Sequence, residues 1–379
     1  MVQCHVAACR GCGHALDATG QRRVRRSQVI DVVPARAVVV ESWAYQARCT
    51  ECGLVTVAEH PAGLESTRTF GPELETAIAY LHERHHVSFE RLVELCKDLF
   101  GVQLSEGAVA KVLQRLGERG ETRYEEIKEL VRASPVIGSD ETGARVGGRN
   151  RWHWTFQSKT ASYHVIARTR SGSVIDDFLD GAVPDVYRLH WSLAARQSDA
   201  YAPQLRAPAK TGQLCLAHQL RELTRAAELE PDAAWWATEL RHVFGRGMRL
   251  HAERAQISAE GFQRRRVRII NAAERLIKGP PLGKGMARRL QQRYQRQWSE
   301  LFIFLEREGV DPTNNASGRD LRNSVIHRKV TGGYRSEWGS QTSAILTSVL
   351  QTARKQGQNL YAAIRMLSGP SPMAAAYAS

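Results

Sequence analysis

The chain lacks a membrane-spanning stretch: no apolar run approaches the ~18 residues that crossing a bilayer requires. Its first residues, MVQCHVAACRGC, have no basic region leading into an apolar one, so they do not read as a signal peptide. No internal repeat of solenoid period is present, which excludes stacked-repeat architectures. Acidic residues are in short supply. The 379 residues carry 39 Asp and Glu against 53 Lys and Arg, a formal net charge of +14. Such an excess points to a polyanionic partner, most often nucleic acid, against the plainer reading of a basic soluble enzyme. With 42% hydrophobic residues the chain can bury a real core, and its length implies several domains. Cytoplasmic, nucleoid-associated placement is expected, with no membrane partner. Its seven cysteines then read as thiols or metal ligands rather than disulfides.

Four of those cysteines form two CxxC pairs, Cys9 with Cys12 and Cys49 with Cys52. A CxxC turn aims two thiolates at one ion, and two such knuckles make a closed tetrahedral Cys4 site for a structural Zn2+. Cys4 and His14 stand nearby as substitutes. Between the pairs lie Val38, Val39 and Val40, then Trp43, Tyr45 and Ala47 in alternation, which suits the strands of a zinc ribbon. After Pro61 the period becomes helical. Pro72 opens a helix with Leu74, Ala77, Ile78 and Leu81 on one face. Ser88 caps a second helix that Gly101 ends, and Ser105 caps a third with Val109, Val112, Leu113 and Leu116. Three short helices with tight turns suit a helix-turn-helix unit or a plain three-helix connector.

From residue 135 the pattern is strand-rich. A short apolar run ends in Asp140, residues 151–156 alternate with Trp152, Trp154 and Phe156 on one face, and residues 161–167 read as a third strand. A helical stretch at 171–181 follows. Three strands and a helix, with Asp140 on the first strand, match the start of a ribonuclease-H-like fold. Glu141 reads as a solvated neighbour. Farther on stand Ser198-Asp199, then Cys215 and His218 one helical turn apart. Two ligands are too few for a closed metal site, so a core or supporting role is expected for that pair.

In this order the pieces resemble the insertion-sequence-66 family of bacterial transposases. The matching residues are Cys9 to Cys52, Gly71-Pro72, Ser139-Asp140-Glu141-Thr142, Ser198-Asp199, Cys215-Leu-Ala-His218-Gln-Leu-Arg221, Asn314-Asn315, His327-Arg-Lys329 and Gly332-Gly333-Tyr-Arg-Ser-Glu337. The resemblance implies a DDE transposase, in which two aspartates and a glutamate on a ribonuclease-H-like core hold two Mg2+ or Mn2+ ions. It makes Asp140 and Asp199 the first two carboxylates. The expected partners are double-stranded DNA, as terminal inverted repeats and as target, further copies of the chain on that DNA, and accessory proteins of the same element. The expected architecture is multi-domain α/β: a zinc-ribbon DNA-binding domain (1–60), a helical DNA-binding or linker domain (61–130), the first part of a ribonuclease-H-like core (131–230), a basic helical insertion (231–312), and the end of the core with C-terminal helices (313–379). The insertion carries Arg264, Arg265, Arg266, Arg268, Arg288, Arg289, Arg293 and Arg296, with Tyr294 and Trp298 among them, a composition suited to phosphate contacts.

Two departures from the family's pattern stand out. Its third acid follows the Asn pair in Asn-Asn-x-Ala-Glu-Arg-x-Leu-Arg, whereas residues 314–322 here read Asn-Asn-Ala-Ser-Gly-Arg-Asp-Leu-Arg, placing Gly318 where the glutamate belongs. Asp320 is two residues away, and on a helix i and i+2 do not share a face. The segment before Asp199 also carries Arg196 and Gln197 where an apolar strand is expected. Gly318 separates an active transposase from a non-catalytic, zinc-dependent DNA-binding relative.

Overall fold

The computed structural model describes residues 5–371, apart from residues 20, 24, 26, 29, 32–34, 36, 65–68 and 190–207. Its first elements are small. Strands β1 (Gln46–Arg48) and β2 (Val55–Val57) pair antiparallel, with Ala47 opposite Thr56. Val38, Val39 and Val40, expected in strand, lie outside any strand, and Val39 is 91% exposed. β-branched residues favour strand only where a partner face covers them, and here the hairpin around Cys49–Cys52 supplies a face no wider than three residues.

Three helices follow, as the capping residues predict. α1 (Pro72–His85) opens on its proline, and α2 (Phe89–Phe100) begins where the Ser88 hydroxyl accepts the Arg91 N–H, ending at left-handed Gly101. The third differs from the expected short helix. α3 (Glu106–Arg132), capped by Ser105, runs for 27 residues because its apolar stripe continues through Tyr124, Ile127 and Val131. α3 packs along α11 (Glu337–Lys355). At Gly117 an added Cβ would meet Thr342 Oγ1 at 2.5 Å, and at Gly120 it would meet Ile345 Cγ2 at 2.7 Å. Only glycine allows that approach at both positions. α12 (Leu360–Arg365) closes back on α1, where the Thr76 and Ser368 hydroxyls bond at 2.8 Å.

The centre is a five-stranded sheet: β3 (Val136–Val146), β4 (Arg149–Gln157), β5 (Ser162–Ala167), β6 (Val186–Leu189) and β7 (Thr211–Leu214). The order across the sheet is β5-β4-β3-β6-β7, antiparallel on the β4 side of β3 and parallel on the β6 side. Trp154, Phe156 and Phe178 of α4 (Ser173–Leu179) stack beneath it, with the Phe156 and Phe178 centroids 3.9 Å apart. Ile78, Leu92, Leu116, Phe156 and Leu346 belong to one continuous buried cluster, so the helical segment and the sheet share a core. After β7 come α5 (Leu216–Leu229), α6 (Ala234–Ala252), α7 (Ala259–Ile277), α8 (Met286–Arg296) and the short α9 (Ile303–Glu306), and then α10 (Asn315–Thr331) returns to the sheet. No helix among the described residues is long and apolar enough to cross a membrane.

Candidate active site

Strand β3 sits in the middle of the sheet and delivers Asp140. Its entry is tight: a Cβ on Gly138 would lie 2.6 Å from Asn314 Oδ1, 2.8 Å from Gln157 Nε2 and 2.9 Å from Arg188 Nε, so any side chain there would displace the groups that frame the strand. Tyr187 of β6 donates to Ser139 Oγ at 2.7 Å and fixes the next residue. The Asp140 carboxylate accepts the Glu141 N–H at 2.9 Å. Burial raises its pKa to about 6, against smaller lowering effects from that N–H and from Arg170. Glu141 points to the other face of the strand. It is not solvated, as expected, but held beneath Arg170 at 2.7 Å, and Arg170 in turn lies over the Trp152 ring at 4.8 Å.

Helix α10 supplies the facing wall. Asn314 anchors its start: Nδ2 donates to Ser139 O at 2.6 Å, Oδ1 accepts from Ser317 Oγ at 2.7 Å, and the backbone N–H points at Cys215 Sγ at 3.1 Å. Gln157 Nε2 donates to Ser317 Oγ, and its Oε1 accepts from Lys355 Nζ at 2.8 Å. One turn into the helix, Gly318 faces the site. A Cβ there would stand 3.6 Å from Asp140 Oδ2, an ordinary contact distance. Asp320 points elsewhere, bonded to Ser162 Oγ at 2.8 Å and to Lys355 Nζ at 3.1 Å, in accord with its i+2 position. Glu337 is engaged with Arg151 at 3.0 Å. Asp199 lies outside the described residues, in the connection between β6 and β7, as does the irregular segment before it.

Cys215 is buried at the start of α5. Its burial raises the thiol pKa, and its sulfur receives the Asn314 N–H, a supporting role. Among the described residues no three His, Cys, Asp or Glu side chains stand close enough to share a metal ion. The two CxxC turns nevertheless have the same construction. Cys9 N–H donates to His14 O and Gly13 N–H to Cys9 O, both at 2.9 Å; Cys49 N–H donates to Leu54 O at 2.8 Å and Gly53 N–H to Cys49 O at 3.0 Å. Gly13 and Gly53 adopt φ of 73° and 74°. In the first turn the N–H groups of Cys12 and Gly11, then the Cys12 thiol, hold Cys9 below its ordinary pKa. In the second, the N–H groups of Cys52 and Glu51, then the Cys52 thiol, do the same for Cys49. Each turn therefore favours a thiolate, the form that binds a metal. Cys4 lies outside the described residues.

The arginines singled out in the insertion divide into groups. Arg264, Arg265 and Arg266 sit on α7 beside Glu260, Glu253 and Glu306, at 3.5, 2.9 and 2.8 Å. Arg268, Arg289 and Arg296 are exposed, and Arg288 is half-buried against Gln291. Arg293 is not available for a phosphate. It is 2% exposed, and its guanidinium bonds Glu222 and Gln219 inside the α5–α8 contact. A run of charges on a short helix hides which residue turns inward, and only the stripe of Ala287, Leu290 and Tyr294 on its inner face could have flagged it. Sequence reasoning also missed Arg170 and Arg188, which frame β3 from neighbouring elements and carry no motif.

Residues 68–342, most of the chain and the whole of the sheet, match the Transposase IS66 family. The chain is also 22% identical over 385 residues to the uncharacterized protein y4jD of Sinorhizobium fredii (strain NBRC 101917 / NGR234), covering 94% of this chain and 73% of that one. A match extending from the first helices through Asp140 and Gly318 into α11 means that the chain belongs to the IS66 transposase family.

Proposed function

We propose that the chain is a DDE-type DNA transposase in architecture, binding the ends of its element, with a cleavage site that lacks its third acid. The sheet order β5-β4-β3-β6-β7, with a carboxylate on the central strand, supports a ribonuclease-H-like core. The observation that carries the reading is the 3.6 Å between the Cβ position of residue 318 and Asp140 Oδ2. α10 sets Gly318, which the resemblance aligns with the family's glutamate, against Asp140, and this chain has no side chain there.

In this reading Asp140 and Asp199 hold Mg2+ or Mn2+. Bound there, such ions would supply the Lewis-acid chemistry that activates the attacking oxygen and stabilises the leaving one in a phosphoryl transfer. With Gly318 in the third acid's place, no carboxylate among the described residues stands on the α10 side of Asp140 to hold a second ion, and efficient strand cleavage is not expected of this chain. Asp140 remains a fitting single ligand: its carboxylate is oriented by the Glu141 N–H, and its raised pKa means that binding requires loss of a proton as pH rises through about 6. The glycine also weakens the first turn of α10, by ~1 kcal/mol relative to alanine.

The test is cleavage of duplex DNA carrying the element's ends, in Mg2+ or Mn2+. Gly318→Glu should gain activity, and adding Asp140→Asn should remove it. Robust cleavage by the unmodified chain would overturn the reading. No gain from Gly318→Glu would place a second lesion in the segment before Asp199. The same reading assigns one structural Zn2+ to Cys9, Cys12, Cys49 and Cys52, supported by the matched construction of the two turns.

A further inference from the structure

A second set of arginines lies on α5 and α6, apart from the insertion arginines singled out above; of this second set only Arg221 belongs to a stretch that carries the family resemblance. Arg221 and Thr224 on α5 face Arg241, His242, Arg246 and Arg249 on α6 across an open basin of about 620 Å³. Residues 242, 246 and 249 fall at i, i+4 and i+7, one stripe of a helix. The opposite stripe of α6 (Trp236, Leu240, Val243, Phe244) is buried, which turns the arginines outward. On α5 the buried Leu223 and Ala226 do the same for Arg221.

The electrostatics of this basin differ from those of α7. Each of Arg264, Arg265 and Arg266 has a glutamate at 3.5 Å or less. Among the described residues none of the four basin arginines has a carboxylate within ion-pair reach. Arg241 donates to Thr224 Oγ1 at 3.2 Å and Arg221 to Ala217 O at 3.3 Å, both neutral acceptors. The basin's own carboxylate, Glu239, lies 3.7 Å from the His242 ring instead. Four guanidiniums converging on one concavity without counter-charge repel one another, and a polyanion relieves that repulsion while releasing its own counterions.

The basin is also joined to the candidate active site by a short rigid path. α5 starts at Cys215, whose sulfur receives the Asn314 N–H, and Asn314 holds the Ser139 carbonyl beside Asp140. Arg221 stands less than two turns along α5 from that junction. We infer that the α5–α6 basin seats the phosphate backbone of the duplex DNA that runs to Asp140, and that the glutamate-paired Arg264, Arg265 and Arg266 of α7 do not. This rests on the DNA-binding reading above.

The experiment measures fluorescence anisotropy of a labelled random-sequence duplex with the full chain over a range of salt. Neutralising a phosphate contact lowers the slope of log affinity against log salt by about 0.9. Arg246→Gln with Arg249→Gln should therefore reduce the slope by about 1.8. Arg221→Gln with Arg241→Gln, from both walls, should do the same. Arg264→Gln with Arg265→Gln should leave it unchanged. All three pairs are exposed, and matching circular dichroism spectra would verify their folding. A parent that binds with a steep salt dependence, and basin variants that keep its slope, would overturn the inference and leave the DNA reading standing. An equal fall in all three pairs would also overturn it, because net charge alone would then govern binding. A parent with no affinity for duplex DNA would remove the reading on which it rests.

Discussion

The segment ahead of α1 and the body that follows it are held together by different physics. In the first, Trp43, Tyr45, Leu54 and Val57 are 73, 77, 65 and 57% exposed, and order is local: two turns of identical hydrogen bonding and a hairpin of three-residue strands. In the second, side chains as large as Trp154, Trp236 and Tyr294 are buried completely, and distant parts of the chain close one core. A two-stranded hairpin is marginal by itself, so in the proposed reading a metal cross-link does there what burial does in the body. The second buries enough surface to hold charged groups such as Asp140 and the Arg293–Glu222 pair.

The largest effect expected from this contrast concerns metal. A structural Zn2+ in a small domain contributes apparent binding energies of ~10–16 kcal/mol at neutral pH. Chelation, or Cys49→Ser, should open residues 5–60 to proteolysis while leaving the main unfolding transition in place, and elemental analysis of the untreated chain should find about one zinc. A metal-free chain whose N-terminal segment resists protease equally well would sink the distinction. Next comes the buried pair in the body. Arg293→Leu strands Glu222 without its partner, a change that typically costs ~3–5 kcal/mol, read as a lower midpoint in urea with no change in the N-terminal protection.

A smaller effect, of opposite sign, is expected at Asp140. Its pKa is raised from 3.8 to about 6 by burial, so the folded state binds that proton more tightly than the unfolded one. The charged carboxylate then destabilises the fold progressively between about pH 4 and pH 6, and fully above that. Asp140→Asn should be more stable than the parent by ~1–3 kcal/mol at pH 7.5. The gain should shrink toward zero near pH 4, measured by denaturant titration at several pH values. A gain independent of pH would mean that packing, not the carboxylate's charge, is the source.

Local signals told the truth about local structure. Pro72, Ser88, Gly101 and Ser105 mark helix ends because capping is settled within one turn. The i to i+2 relation between Gly318 and Asp320 was legible for the same reason, and the ion pair of Asp320 with Lys355 follows it. Features decided by distant partners were not legible. The valines at 38–40 find no neighbouring strand, Arg293 turns inward because Glu222 lies on another helix, and α3 continues past its expected end because α11 lies alongside it. The convergence of the basin arginines belongs to this class as well, for Arg221 on α5 and Arg241, Arg246 and Arg249 on α6 are brought together only by packing.

The close seam between α3 and α11 has a mechanical side. With Gly117 and Gly120 pressed to within contact of Thr342 and Ile345, the two helices cannot slide or roll past each other without collision. α3, at 27 residues and 1.5 Å per residue, is a strut of ~40 Å. α1 and α2 ride on its first half, while its far end joins directly into the strand that carries Asp140. A bulkier residue at 117 or 120 would have to push α3 away from α11, and through the short link to β3 that displacement would reach the strand carrying Asp140 without any change at the site itself.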